Sequence, residues 1–191
     1  MIALLFPLLA LLAPQQPQQP AARPAQAVPV QPLRPAQPRT AYDTTREMII
    51  DVGRRVADVR TGIELYRRAA FNAPDGAVLE DANLFGRSCR DLAEIADRAR
   101  RGMCRQCLSP SAQRAVESYR AYLPILARMA RDAEARVRQL AARDSSAARL
   151  RRDVLPANNR VVSGLRPYEA RLQQVRVAFG WTAPGTPTPR P

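Results

Sequence analysis

In four stretches of this chain, apolar side chains recur at alternating steps of three and four, a spacing that only an α-helix gathers onto one side. The first stretch carries Ile49, Val52, Val56, Val59, Ile63 and Tyr66, and the second Phe85, Cys89, Leu92, Ala96, Ala99 and Met103. The third runs from Ala112 through Val116, Tyr119, Leu123, Leu126, Ala130, Ala133 and Val137 to Leu140. The fourth holds Val161, Leu165, Tyr168, Leu172, Val175 and Phe179. Such steps place the residues at the a and d positions of coiled-coil heptads. No run of alternating β-branched residues competes with them. The expected fold is therefore all-α: an antiparallel bundle of about four amphipathic helices with heptad-like seams. The same regular seams would serve association between copies, so a homo-oligomer is compatible with the pattern.

The ends of these helices are also written in the sequence. Thr44 and Glu47 make an expected capping box for the first, and Asn72, Pro74 and the Asp75-Gly76 pair its stop. Gly102 lies near the end of the second. Ser109 as N-cap with Pro110 at the first helical position opens the third, and Pro124 should bend that helix without ending it, because the seam keeps phase on both sides. Asp144-Ser145-Ser146 reads as a turn or a new N-cap. In the fourth segment Pro156, Asn158-Asn159, Gly164 and Pro167 predict breaks between residues 155 and 167.

The bundle is bounded by segments of another character. Residues 1–13, MIALLFPLLALLA, form an uninterrupted apolar run, shorter than the roughly 20 residues a helix needs to span a bilayer and of the length of a signal-peptide core. No Lys or Arg precedes it, and no Cys follows closely enough for a lipid anchor. Residues 14–40 are mostly Pro, Gln and Ala, an expected extended linker, and residues 181–191 an expected disordered tail. The helical domain thus occupies residues 41–180. Export to the periplasm or the cell exterior, with no transmembrane span, is the expected fate.

Charge narrows the partners. The chain has 30 basic residues against 17 acidic ones, a net charge of +13, and every basic residue is Arg. Acids precede arginines by four positions at Asp51/Arg55, Glu64/Arg68, Glu94/Arg98, Asp97/Arg101, Asp132/Arg136 and Glu134/Arg138, the pattern of solvated helix faces. The doublets Arg54-Arg55, Arg67-Arg68, Arg100-Arg101 and Arg151-Arg152 are the candidate anion-binding residues. In an exported protein their counterpart is an anionic envelope component or a partner protein, nucleic acid is disfavoured, and the alternative to a structural interaction protein is an Arg-rich module that binds anions or a membrane surface. The aromatic residues are too few and too scattered for a stacking platform.

Cys104 and Cys107 are the remaining chemical motif. A c-type haem needs His directly after the second Cys, and Leu108 stands there. A structural zinc needs four N or S ligands, and the chain holds 3 Cys and no His. A redox dithiol draws support from Arg100, Arg101 and Arg105 and from the start of the third helix beside Cys107. A structural disulfide between Cys104 and Cys107 is the favoured reading for an oxidising compartment. Cys89 lies roughly 22 Å from Cys104 along a continuous helix, beyond bridging range, and belongs to the apolar seam. Without His there is no Ser-His or Cys-His nucleophile pair, and no glycine-rich phosphate loop is present. The expected protein is non-enzymatic, without cofactor or metal, and acts through its helical surface.

Overall fold

A computed structural model describes residues 40–104, 106–142 and 146–181. By contact, the chain divides into residues 1–37 and 38–191, and every described residue belongs to the second unit. Of the leader and linker expected over 1–40, residues 1–39 lie outside the described residues, as do Asp144, Ser145 and the tail beyond Trp181, whereas Thr40 is described and caps α1. The described residues of this unit form four helices: α1 (Ala41–Asn72), α2 (Asp75–Gly102), α3 (Pro110–Ala141) and α4 (Ala147–Ala178). The fold is an all-α helical bundle, with no strand among the described residues.

Every seam residue of the first three stretches is buried, from Ile49 to Leu140. In α4, Val161, Leu165, Tyr168 and Val175 are buried as well, with Leu172 and Phe179 packed at the margin of the core. Neighbours run antiparallel, as three sets of contacts show. Met48 and Gly62 of α1 meet Gly102 and Phe85 of α2, Gly86 of α2 meets Val137 of α3, and Met129 of α3 meets Gly164 of α4. Glycine is needed at the first two crossings. A Cβ on Gly62 would lie 3.1 Å from the Phe85 Cα, and one on Gly86 3.2 Å from Val137 Cγ1. Cβ-free backbone at these points lets α1, α2 and α3 approach closely.

The fourth seam is different. α4 rests on α3 and leans across the diagonal onto α2, while it meets α1 at only a few places. At one end of the bundle the Tyr66 hydroxyl donates to the Leu150 carbonyl (2.6 Å), Arg151 Nη2 to the Ala73 carbonyl (2.7 Å) and Arg67 Nη2 to Asn159 Oδ1 (3.0 Å). At the other end Tyr42 stacks on Phe179, which in turn packs on Trp181, with ring centroids 5.1 and 4.9 Å apart. Trp181 thus belongs to the packed unit.

Two local expectations are corrected. The α1 capping box is built four residues earlier, from Thr40 and Asp43: Asp43 N–H donates to Thr40 Oγ1 (3.1 Å) and Thr40 N–H to Asp43 Oδ2 (3.2 Å). Asp in place of Glu or Gln at the third helical position departs from the usual box, and Thr44 and Glu47 are already inside the helix. The expected breaks between residues 155 and 167 are absent, and α4 runs through Pro156 and Pro167. Pro156 is on the solvent face, and the residues four positions before the two prolines, Arg152 and Ser163, are exposed, which places the missing hydrogen bonds on the side of the helix that curves towards water. The inner face is held by buried Ala157, Asn158, Val161 and Leu165, and the Tyr122 hydroxyl donates to the Gly164 carbonyl (2.7 Å). α3 and α4 remain separate helices, and the Ser146 side chain caps α4 by accepting from Arg149 N–H.

Candidate functional site

The thin contact between α1 and α4 leaves a trough of about 770 Å³ along the middle of the bundle. Its floor is apolar: Ile49, Ile50, Val56 and Ala57 come from α1, and Leu172 from α4, with Trp181 at one end. They are neighbours because α1 and α4 are antiparallel and each turns one edge of its apolar stripe towards the gap. Ile50 is 39 % exposed, a large apolar side chain left partly uncovered. Gly53 leaves the wall low, since the nearest atom to a Cβ there would be the Tyr168 hydroxyl at 3.9 Å.

Arginines stand over this floor. Arg54, Arg60 and Arg176 line the trough. Arg54 is paired with Asp51 at 3.2 Å on its own helix, yet its side chain is 75 % exposed and free to turn to a ligand. Arg60 forms an ion pair with Glu169 across the gap. Beyond that pair a smaller hollow of about 270 Å³ continues between the same helices, bordered by Glu64, Arg67, Val162, Leu165 and Arg166. Arg60 and Glu169 border both spaces, so the two hollows adjoin at this ion pair and together make up the channel between α1 and α4. At the trough's other end the Arg46 guanidinium lies 5.7 Å from the Trp181 ring.

The arginine doublets do not converge on one patch. Arg54 lines the trough, whereas Arg55 faces α2, 3.0 Å from Asp58 and 3.9 Å from Asp91. Arg67 borders the smaller hollow and Arg68 is exposed. Arg151 is spent on the Ala73 carbonyl and on Asp75 (3.5 Å), and Arg152 on Asp153 (3.0 Å). Arg100 and Arg101 are exposed at the opposite end of the bundle, in the last turn of α2. Several expected pairs on one helix face are replaced by bonds between helices: Asp97 pairs with Arg131 of α3, and Arg136 approaches Asp153 of α4 at 3.8 Å. Glu134 and Arg138 pair as expected.

A second hollow of about 690 Å³ lies between α3 and α4, with Arg136, Arg160 and Asp153 among its walls. Its charge is largely compensated internally. The hydrogen bond from Arg152, together with Arg136 and Arg149 nearby, holds the Asp153 carboxyl below the usual carboxylate range. Asn158 is fully buried, and neither of its amide atoms has a hydrogen-bond partner. Among the described residues, no three Cys, Asp or Glu side chains are grouped so as to hold a metal ion.

Cys104 and Cys107 are side by side in the α2–α3 connection, their Cα atoms 6.0 Å apart. That separation lies within the range for a disulfide. The Cys107 N–H also points at Cys104 Sγ, 3.2 Å away. Buried Thr45 ties this loop to α1: its hydroxyl donates to the Ala41 carbonyl (2.9 Å) and accepts from Cys104 N–H (3.1 Å). Cys89 is free and buried on the α2 seam, and burial, helped by the Glu134 charge, pushes its thiol up to about 12. That environment disfavours thiolate chemistry. No helix among the described residues is long and apolar enough to cross a membrane. Comparison of the chain with protein-family models, curated proteins and solved structures found no match.

Proposed function

We propose that the chain is an exported, non-enzymatic helical interaction protein of the cell envelope, acting through the α1–α4 trough. The observation that carries the reading is the open seam itself: an apolar floor with exposed Ile50, beneath arginines, between two helices that touch at far fewer places than any sequential pair in the bundle. Apolar surface left open in this way costs stability, and binding a partner recovers it. Export is supported by the apolar run at residues 1–13. The Cys104–Cys107 disulfide belongs to the same proposal: its short loop would remove little chain entropy and would serve to fix the turn between α2 and α3.

Two measurements on protein purified from the exported fraction test the reading. Thiol counting by mass spectrometry is expected to find Cys89 alkylated only after unfolding and Cys104 linked to Cys107. Three free thiols, or a link that glutathione opens readily, would replace the staple with a thiol redox role. Native mass spectrometry is expected to find the wild type in a complex and the trough variant Ile50→Glu/Leu172→Glu as the free chain. A wild type that is always free, or a complex indifferent to those substitutions, overturns the assignment to the trough.

A further inference from the structure

We infer that the α1–α4 trough is the seat of an acidic amphipathic helix supplied by a different protein. The inference rests on the interaction role proposed above and names the chemistry of the partner. Shape is the first argument. The trough lies open along its length, bordered on both sides by helices, so an occupant can bury one stripe of itself and keep the rest in water. A helix is built for that, with anchors at i, i+3, i+4 and i+7. A single acyl chain needs most of its surface enclosed. From Ile49 to Arg67 the channel follows about 27 Å of α1, the length of an 18-residue helix. Gly53 and Ala57, one turn apart on α1, keep the wall low enough for a second helix to approach.

Charge is the second argument. The channel is bordered by Arg54, Arg60, Arg67, Arg166 and Arg176 against Glu64 and Glu169, an excess of three positive charges. A partner that fills it must bring carboxylates to flank its apolar stripe. The segments that flank the bundle do not supply them. Residues 1–39 and 182–191 contain no Asp or Glu, and a second copy would set arginine-lined troughs against each other. The acidic helix therefore comes from another polypeptide.

Trp181 lines the trough and is the chain's 1 Trp, so its fluorescence reports occupancy directly. The full exported chain is titrated with 18-residue peptides that lack aromatic residues, share a leucine stripe at i, i+3, i+4 and i+7, and carry Glu, Gln or Lys beside it. The Glu peptide is expected to shift Trp181 emission to the blue and to bind at least ten-fold tighter than the Gln peptide, with the Lys peptide silent. The affinity should fall as salt rises. Arg54→Glu/Arg176→Glu should abolish the shift with the far-ultraviolet circular dichroism unchanged, and Arg87→Glu on the outer face of α2 should leave it intact. A scrambled Glu peptide that binds as tightly overturns the inference, because attraction then needs no helix. Phosphatidylglycerol vesicles that shift Trp181 when the Glu peptide does not overturn it in favour of a lipid surface. If the peptides fail while the native complex still depends on Ile50 and Leu172, the acidic helix is wrong and the interaction role stands. If the native complex is missing too, both fall.

Discussion

α1 is flanked by two unlike neighbours. Against α2 it packs until backbone meets backbone, with Gly62 beneath Phe85 and Val59 and Ile63 buried in the core nearby. Against α4 it keeps its distance, touching at the two ends of the bundle and leaving a trough of about 770 Å³ between them. One side of the helix secures the fold, and the other is left available. The lesson is that an amphipathic stripe wider than its neighbour can cover leaves apolar surface open along its uncovered edge.

The widest test of that contrast is truncation on the two sides. Phe85→Ala removes a fully buried ring from the closed seam and should cost about 3–5 kcal/mol in urea unfolding, whereas Leu172→Ala at the trough should cost under about 1 kcal/mol. Similar losses would mean that the trough is part of the core. A finer test uses two glycines of α1. Gly62→Ala gains helix propensity but drives a methyl into the Phe85 backbone, for a net loss of about 1–2 kcal/mol. Gly53→Ala makes only an ordinary van der Waals contact with the Tyr168 hydroxyl and should raise stability by about 0.5–1 kcal/mol. The opposite signs, read by chemical denaturation, are the outcome to look for.

Tyr66 sharpens the comparison, because it marks a place where α1 and α4 do meet. Tyr66→Phe deletes the bond to the Leu150 carbonyl and should cost about 1 kcal/mol at neutral pH. Burial pushes the Tyr66 phenol from 10.0 up to about 12. The unfolded chain gives up that proton first, so the folded state loses stability as pH climbs through that window. Cys89, raised from 9.0 to about 12, acts in the same direction. The Phe variant should lose less stability between pH 9 and 11 than the wild type does. Arg54→Ala is the smallest change: its exposed pair with Asp51 should alter stability by under about 0.5 kcal/mol, although the same residue is needed for the acidic peptide.

The helices and their inward stripes were legible in the sequence because a step of three or four residues has one geometric meaning. Each residue of the α2 stripe from Phe85 to Met103 is buried, as the spacing requires. The trough was not legible. Periodicity says which edge of a helix avoids water, but it leaves open which two edges share a seam and how tightly. Arg60, Arg166 and Arg176 stand singly along the chain, so a search for basic doublets passes over them, and they meet only because α1 and α4 run antiparallel. Trp181 sits beside a proline-rich stretch and reads as tail, yet its ring packs on Phe179. Thr45 belongs to no apolar seam and to no motif in the sequence, and only the fold shows its hydroxyl holding the cysteine loop. The prolines of α4 misled in the other direction, since a missing N–H is costly only where the orphaned carbonyl is hidden from water.

Cys89 has a further use that follows from its place on the α2 stripe. With its sulfur sealed between helices, no reagent reaches it until the bundle opens locally. The rate at which an added disulfide reagent modifies it, compared with the rate for the unfolded chain, therefore times the opening of the core under native conditions. A helix seated in the trough should slow that clock if it steadies the whole bundle, and leave it running if α1 alone responds.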